Sequence, residues 1–303
     1  MSAWTGWRDS DLWHGFVGSR LTVVAAVVAA VLILGALFAG LIAPQNPFDP
    51  LSVNLIDALT PPAWQAGGEG RFLLGTDDQG RDLFSAILYG SRLSLLVGVA
   101  SLVLALVLGV GLGLLAGYVG GVVDAAIMRV AEVQLTFPAI LIALLISGVA
   151  RAVLPAEEHG RIAIPVLVLS IGLSTWVQFA RTVRGSAMVE RGKEYVQAAR
   201  VTGLGPGRIM LRHVLPNVLN PVLVIATISL GNAILTEATL SFLGVGAPPT
   251  EPSLGTLINK GSAYLLSGEW WIVLFPALVL SLLVLAVNLL GDWLRDALNP
   301  RLR

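Results

Sequence analysis

Apolar residues are gathered into six long runs along the chain, and the segments between them hold the charges. The runs cover residues 22–43, 93–118, 133–150, 162–180, 214–236 and 271–290. Each is close to the roughly 20 residues that a helix needs to cross a bilayer, because the hydrocarbon core is about 30 Å thick and a helix rises about 1.5 Å per residue. The pattern predicts an all-α, polytopic membrane protein with about six transmembrane helices.

These runs divide the chain into five parts. We expect an N-terminal segment at 1–21, a first transmembrane helix at 22–43, an external loop at 44–92, a five-helix core at 93–291 and a tail at 292–303. The alternative for the first run is a secretory signal peptide, but the run exceeds the roughly 7–15 apolar residues of a signal-peptide core.

Within the external loop, apolar residues recur at helical spacing directly after Arg81 and Asp82. They are Leu83, Phe84, Ile87 and Leu88. Such spacing predicts a short helix lying at the membrane interface.

Composition supports a membrane location and excludes several functions. The chain has 303 residues, of which 55% are hydrophobic and 13% charged, and its mean hydropathy is +0.81. A formal net charge of +0 gives no overall basic field that would favour nucleic acid. The absence of cysteine excludes disulfides and thiolate metal ligands.

Basic residues predict the orientation, because Lys and Arg are enriched in cytoplasmic segments. With both termini in the cytoplasm, the inside holds Arg8, Arg20, Arg129, Arg181, Arg184, Arg191, Lys193, Arg200, Arg208, Arg212, Arg295, Arg301 and Arg303. The outside holds only Arg71, Arg81, Arg92, Arg151, Arg161 and Lys260. We therefore expect both termini, and the segment 181–216, to be cytoplasmic.

The six runs lack the groups that catalysis or ion coupling commonly needs. None of the 19 basic and 19 acidic residues lies inside them, whereas ion-coupled transporters often place ionisable groups near the midplane. No HExxH motif occurs, so we expect neither a catalytic residue nor a metal site. Lys193 and Lys260 are not followed by Ser or Thr, so the chain has no P-loop for ATP.

The most polar connection between runs is EYVQAARVTGLGPGRIMLRHVLPN, residues 194–217. Good helix formers predict a short helix at 195–201, which Gly203 ends. Pro206 suits the first turn of a second helix that continues towards the membrane. Two short helices joined by a glycine elbow favour docking to another protein, and the alternative is a solvated basic loop.

This segment resembles the EAA loop of ATP-binding-cassette (ABC) importer permeases. That pattern is Glu-Ala-Ala, three residues, Gly, nine residues, then Ile-x-Leu-Pro. Here Gln197-Ala198-Ala199 is followed at the same spacings by Gly203 and His213-Val214-Leu215-Pro216. Gln197 replaces the acid and His213 replaces the apolar residue. The resemblance implies an ATPase-coupling role for Glu194, Tyr195, Gln197, Ala198, Ala199, Arg200, Gly203, Arg208, His213, Leu215 and Pro216.

Further blocks are similar to the C-type permeases of the dipeptide, oligopeptide and nickel branch. They are GTDDQGRDLFSAILYGSRLSL from Gly75, HVLPN from His213, EATLSFLGVG from Glu237 and NLLGDWLRDALNPRLR from Asn288. The resemblance covers about residues 21–303 and implies a type I ABC importer permease fold in a bacterial cytoplasmic (inner) membrane. It implies peptide import, with nickel or another small solute as the alternative. An ion-coupled secondary transporter and a membrane scaffold are the other classes.

The same resemblance implies the partners. They are a homologous permease subunit, two ABC ATPase subunits that hold ATP and magnesium, an extracytoplasmic substrate-binding protein and the lipid bilayer. The chain itself would bind no cofactor.

Four polar residues are candidates for the pathway or its gate. Asn232 lies inside the fifth run, Glu237 directly follows it, and Arg81 and Asp82 precede the second run. For Glu237 the alternative is an interfacial acid that faces water. The glycines of the second run form GxxxG pairs at Gly109, Gly113 and Gly117, which predicts close helix packing, with a moving hinge as the alternative.

Overall fold

The computed structural model describes residues 11–49, 51–155, 158–248 and 250–298, and within these ranges the secondary structure is helical. The helices are α1 Asp11–Gly18, α2 Arg20–Leu37, α3 Ala39–Ile42, α4 Leu83–Val119, α5 Gly121–Leu135, α6 Ala139–Val153, α7 His159–Glu190, α8 Glu194–Val201, α9 Pro206–Ile209, α10 Leu215–Phe242, α11 Leu254–Tyr264 and α12 Trp271–Leu298. A π-helix, Met210–Val214, joins α9 to α10. The predicted all-α fold is confirmed.

Five helical segments are long and apolar enough to cross a membrane: Arg20–Leu37, Leu83–Val119, His159–Glu190, Pro206–Phe242 and Trp271–Ala297. The pair α5 and α6 would make a sixth, bent by 93°. The expectation of about six spans therefore agrees with the structure.

The third apolar run, however, is not one helix. α5 ends at Leu135 and α6 begins at Ala139, so the predicted helix over 133–150 is interrupted. Pro138 explains the break, since a proline pushes the preceding residue out of the α conformation and has no N–H to donate.

The predicted separate interfacial helix is also wrong. Leu83–Val119 is one helix of 37 residues, about 55 Å long, and the residues at 83–92 are its first turns. Its start is fixed by Asp82, whose Oδ2 accepts hydrogen bonds from the Ser85 N–H at 2.8 Å and the Ser85 hydroxyl at 2.5 Å. The helix projects beyond the roughly 30 Å hydrocarbon core.

α4 and α7 pack backbone against backbone over their second halves. A Cβ at Gly109 would lie 2.6 Å from the Trp176 carbonyl oxygen, and one at Gly117 would lie 2.6 Å from that of Arg184. Between them, a Cβ at Gly113 would collide with the backbone of Ala180. Each successive contact lies four residues further along α4 and four residues further along α7, so the two helices run parallel. The close packing predicted from the GxxxG pairs is confirmed.

The first span packs on the last one. Ala25 and Ala29 of α2 and Ala286 of α12 are buried in one cluster. Small residues here bring the two helices close together, which places α2 beside α12 at the periphery of the bundle.

Candidate functional site

The segment between α7 and α10 folds as two short helices joined by an elbow. The helix predicted at 195–201 is confirmed and begins one residue earlier, as Glu194–Val201. Gly203 follows it with φ +80°, a conformation that side chains with a Cβ adopt at a cost. Gly205, by contrast, has φ −66° and does not need to be glycine, while Pro206 opens α9 as predicted.

A π-helix carries this loop into the membrane. In a regular α-helix the ring of Pro216 would clash with the carbonyl oxygen of Arg212, four residues earlier. The wider π turn at Met210–Val214 relieves that clash. The Asn217 side-chain amide donates a hydrogen bond of 2.7 Å to the His213 carbonyl oxygen. α9, the π-helix and α10 therefore form one continuous path from the elbow to the bundle.

One face of α8 belongs to the protein core. Val196 and Ala199 are buried in the same cluster as Ala180, Val183 and Ile209, which come from α7 and α9. Because α8 and α7 share this buried cluster, a movement of α8 is expected to reach α7 through packed side chains.

Charged and polar groups fix the junction between α7 and α8. The Glu190 carboxylate receives Lys193 Nζ at 2.6 Å and the Tyr195 hydroxyl at 2.5 Å. Asn217 Nδ2 in turn donates to Tyr195 Oη at 3.3 Å, which ties α10 to the same junction. Burial of the phenol, together with the nearby Glu190 carboxylate, raises the pKa of Tyr195 to about 12.

The opposite face of α8 is exposed, and among the described residues its one side-chain hydrogen bond runs from Gln197 Nε2 to the Arg191 carbonyl oxygen at 3.3 Å. Glu194, Gln197, Ala198 and Val201 are exposed on it, and Val201 is 88% exposed. We call these four residues the α8 outer face. Its centre is small and apolar, and its edge is polar.

The other predicted coupling residues fall into two groups. Arg200, Arg208 and Pro216 are exposed, whereas His213 and Leu215 are half-buried. Arg200 lies over the Tyr118 ring, with 5.4 Å between the guanidinium carbon and the ring centroid. Ala199 does not belong to the exposed set, because it packs inward. The ATPase-coupling role of these residues stays a prediction, and the α8 outer face is the exposed part of the helix that could carry it.

The sequence reading missed three residues of this site: Glu190, Val196 and Val201. Val196 and Ala199 have the i, i+3 spacing of one helical face, a signal that would have identified the buried side. Glu190 precedes the segment 194–217, and the turn between α7 and α8 brings its carboxylate to Tyr195.

At the predicted outer end, Arg81 and Asp82 serve the loop that precedes α4. Asp82 is the buried N-cap of α4. The backbone N–H of Arg81 donates to Asp77 Oδ1 at 2.9 Å, and burial raises the pKa of Asp77. These contacts fix the loop and the start of α4, and a pathway or gate role for Arg81 and Asp82 stays a prediction.

Glu237 does not face water in this structure, so the alternative of an interfacial acid is wrong, whereas its role in the pathway stays a prediction. Its side chain is 0% exposed. The Ser241 hydroxyl donates to its Oε1 at 2.7 Å, and the carboxyl group also faces the hydroxyls of Ser94 and Ser253. α10 carries it into the interior because α4 and α11 pack over this part of the helix. Asn232, five residues earlier, is exposed on α10.

These features define a class of protein: a polytopic membrane subunit with a two-helix loop that protrudes between two spans. Inward-facing structures of the MetNI methionine ABC transporter have a similar fold. One aligns with a TM-score of 0.55 at 19% sequence identity and covers 71% of this chain and 96% of that chain.

Sequence comparison identifies the family. The chain belongs to the binding-protein-dependent transport system inner membrane components, which match residues 109–303. Residues 7–62 match the N-terminal transmembrane domain of oligopeptide transport permease C. The chain is thus a multi-pass inner-membrane permease subunit, as the resemblance implied.

Individual relatives match over nearly the full length. The dipeptide transport system permease protein DppC of Escherichia coli K12 is 43% identical over 97% of this chain and 93% of that protein. Its Haemophilus influenzae counterpart is 38% identical over 97% and 95%. The di/tripeptide permease DppC of Pseudomonas aeruginosa is 39% identical over 97% and 92%.

Proposed function

We propose that this chain is the C-type permease subunit of an ATP-driven importer of short peptides. It encloses the pathway together with a homologous permease, and two cytoplasmic ATPases drive it through α8 and α9. The observation that carries this proposal is the two-sided character of α8, whose inner face is part of the bundle core while its outer face is exposed. The dipeptide and di/tripeptide relatives support the substrate class.

In this mechanism the chain supplies no chemistry of its own. An extracytoplasmic binding protein delivers the peptide, and the ATPases hold ATP and magnesium. Their closure displaces the α8 outer face, and the core contacts of Val196 and Ala199 carry that displacement to α7. The bundle then changes the side to which it opens. Both termini are cytoplasmic in this arrangement, in keeping with the distribution of Lys and Arg.

Gln197 gives the docking contact a neutral centre. An amide hydrogen bond contributes about 0.5–1.5 kcal/mol, compared with about 1.5–3 kcal/mol when one partner is charged. With glutamine at position 197, apolar burial of Ala198 and Val201 therefore supplies a larger share of the binding free energy for the ATPase. With an acid at that position the share would be smaller.

The elbow offers a test with a matched control. Gly203 and Gly207 both have free space around a new Cβ, but only Gly203 has a positive φ, +80°. Gly203→Ala costs about 1–2 kcal/mol of backbone strain, which favours a different elbow conformation, whereas Gly207→Ala is helical and tolerated.

The measurement uses the whole transporter, reconstituted in liposomes with its permease partner, ATPases and binding protein. We expect wild type and Gly207→Ala to couple ATP hydrolysis to dipeptide uptake, and Gly203→Ala to insert normally but to hydrolyse more ATP for each peptide imported. Unchanged coupling in Gly203→Ala contradicts the role of the elbow.

The same preparation separates the other functions. Uptake of labelled nickel in place of peptide would assign the small-solute alternative. Uptake driven by an ion gradient without ATP would assign a secondary transporter. ATPase binding without any flux would assign a scaffold.

A further inference from the structure

A cavity of about 290 Å³ opens beside the first turns of α4, at the end of the bundle away from α8. Its walls are mostly apolar and include Phe48, Tyr89, Leu93 and Ile164. Phe48 and Tyr89 meet edge to face, with 5.1 Å between ring centroids. The walls therefore come from the loop before α4, from α4 itself and from the start of α7.

Two opposite charges line the same cavity: Arg92 of α4 and Glu251 of the segment before α11. Within the described ranges, neither side chain makes a hydrogen bond or an ion pair, and the two are too far apart to pair with each other. Arg71, also at this end, behaves differently, since it contacts Asp57 and Glu69 at 2.6 Å each. Both side chains are exposed, so one cation and one anion are available at this cavity.

A ligand that satisfies both charges must itself carry a separated cation and anion. The two termini of a dipeptide are about 7 Å apart, at about 3.3–3.6 Å per residue, so its carboxylate and ammonium can reach two groups that do not touch. The Arg guanidinium binds a carboxylate through two parallel N–H donors. The apolar walls accommodate the side chains of the peptide. Ligand sites usually have volumes of roughly 300–1,000 Å³, and because this cavity is near the lower end of that range, it limits the length of the peptide.

We infer that this cavity recognises zwitterionic di- or tripeptides, with Arg92 on the carboxylate and Glu251 on the ammonium group. This inference rests on the proposed function, because it assigns a recognition site to a peptide importer. It is spatially separate from the coupling loop, so the two are tested independently. The headgroup of an ethanolamine phospholipid carries the same pair of charges and is the competing source of ligand at a membrane boundary.

The test uses the assembled transporter without the binding protein, in nanodiscs made only of phosphatidylcholine, whose quaternary ammonium has no N–H to donate to Glu251. A fluorescent-labelled Ala-Phe dipeptide is titrated against wild type, Arg92→Gln and Glu251→Gln. Each loss of a charge-assisted contact is expected to weaken binding about tenfold. The exchange variant Arg92→Glu/Glu251→Arg keeps both charges and is expected to recover most of the affinity.

Blocked peptides identify which charge meets which terminus. N-acetylation is expected to weaken binding to wild type but to cause no further loss in Glu251→Gln, and C-amidation is expected to do the same with Arg92→Gln. Arg161→Gln and Glu158→Gln are the controls, because both remove an exposed charge near the start of α7 that does not line the cavity. They are expected to bind as wild type does.

Three results overturn the inference: equal binding by wild type and both single variants, equal binding of blocked and free peptides, or loss of peptide binding in a second set of nanodiscs that contain phosphatidylethanolamine. If wild type still imports peptides when the binding protein is present, the proposed function stands although this site fails. If wild type imports no peptide, the proposed function itself fails.

Discussion

The α8 outer face makes a quantitative prediction about ATPase docking. Val201 is its most exposed apolar side chain, at 88%, so almost all of its surface is available to a partner. Complete burial of a valine contributes about 1.5–3 kcal/mol. Val201→Asn removes most of that contribution and places an amide in the contact. We expect the ATPase to bind about 2 kcal/mol more weakly, or roughly thirtyfold in dissociation constant.

The permease itself should tolerate this change. Val201 lies in the last turn of α8, and the buried contacts of that helix come from Val196 and Ala199 instead. Asn has a somewhat lower helix propensity than the best helix formers, a cost of well under 1 kcal/mol at a helix end. The effect is therefore expected in association and not in membrane insertion or unfolding temperature.

The assay measures binding of the purified ATPases to the immobilised permease pair in nanodiscs. Ile56→Asn is the control, since Ile56 is also 88% exposed but lies in the loop before α4, at the other end of the bundle. We expect control and wild type to have the same dissociation constant. A change of less than threefold in Val201→Asn, with normal insertion, would refute the assignment of α8 as the docking helix.

Two further predictions concern the interior. Gly113→Ala drives a Cβ into the backbone of Ala180, whereas the Cβ of Gly111→Ala on the same helix meets nothing within 4 Å. We expect the first variant to lose about 1–3 kcal/mol of unfolding free energy and the second to change little. Thermal unfolding in nanodiscs measures both. Glu237→Ala deletes a fully buried acceptor and leaves a cavity, which is expected to cost about 2–5 kcal/mol of unfolding free energy. Glu237→Gln keeps the shape of the side chain and its contact with Ser241, so its loss of stability is expected to be smaller. Equal unfolding temperatures within either pair would contradict the corresponding prediction.

The coupling loop was predictable because its signals are local. A run of helix formers, a glycine that ends the helix and a proline that begins the next one act within a few residues, so α8 was placed to within one residue. The interruption between α5 and α6 is also local, and Pro138 marks it in the sequence. Hydropathy averaged over the run concealed that signal, because the apolar count is the same for a straight and a bent span.

The position of Glu237 was not predictable from its own neighbourhood. Its location after an apolar run indicates a helix end near the membrane surface, where an acid is hydrated. The structure instead extends α10 to Phe242 and covers it with α4 and α11, which bring Ser94 and Ser253 to the carboxyl group. Those serines come from two other segments of the chain, and tertiary packing alone decides that they meet.

The glycines of α4 bear on how force is carried through the bundle. Val196 and Ala199 of α8 share a buried cluster with α7, and α7 approaches α4 at a row of glycines where the two backbones come close together. A side chain between helices can change rotamer and absorb a displacement, but a backbone contact cannot. α4 and α7 should therefore move as one rigid body when α8 is displaced. The bend between α5 and α6 is then the place where the bundle can yield, because Thr136–Pro138 interrupts the helical hydrogen bonds there.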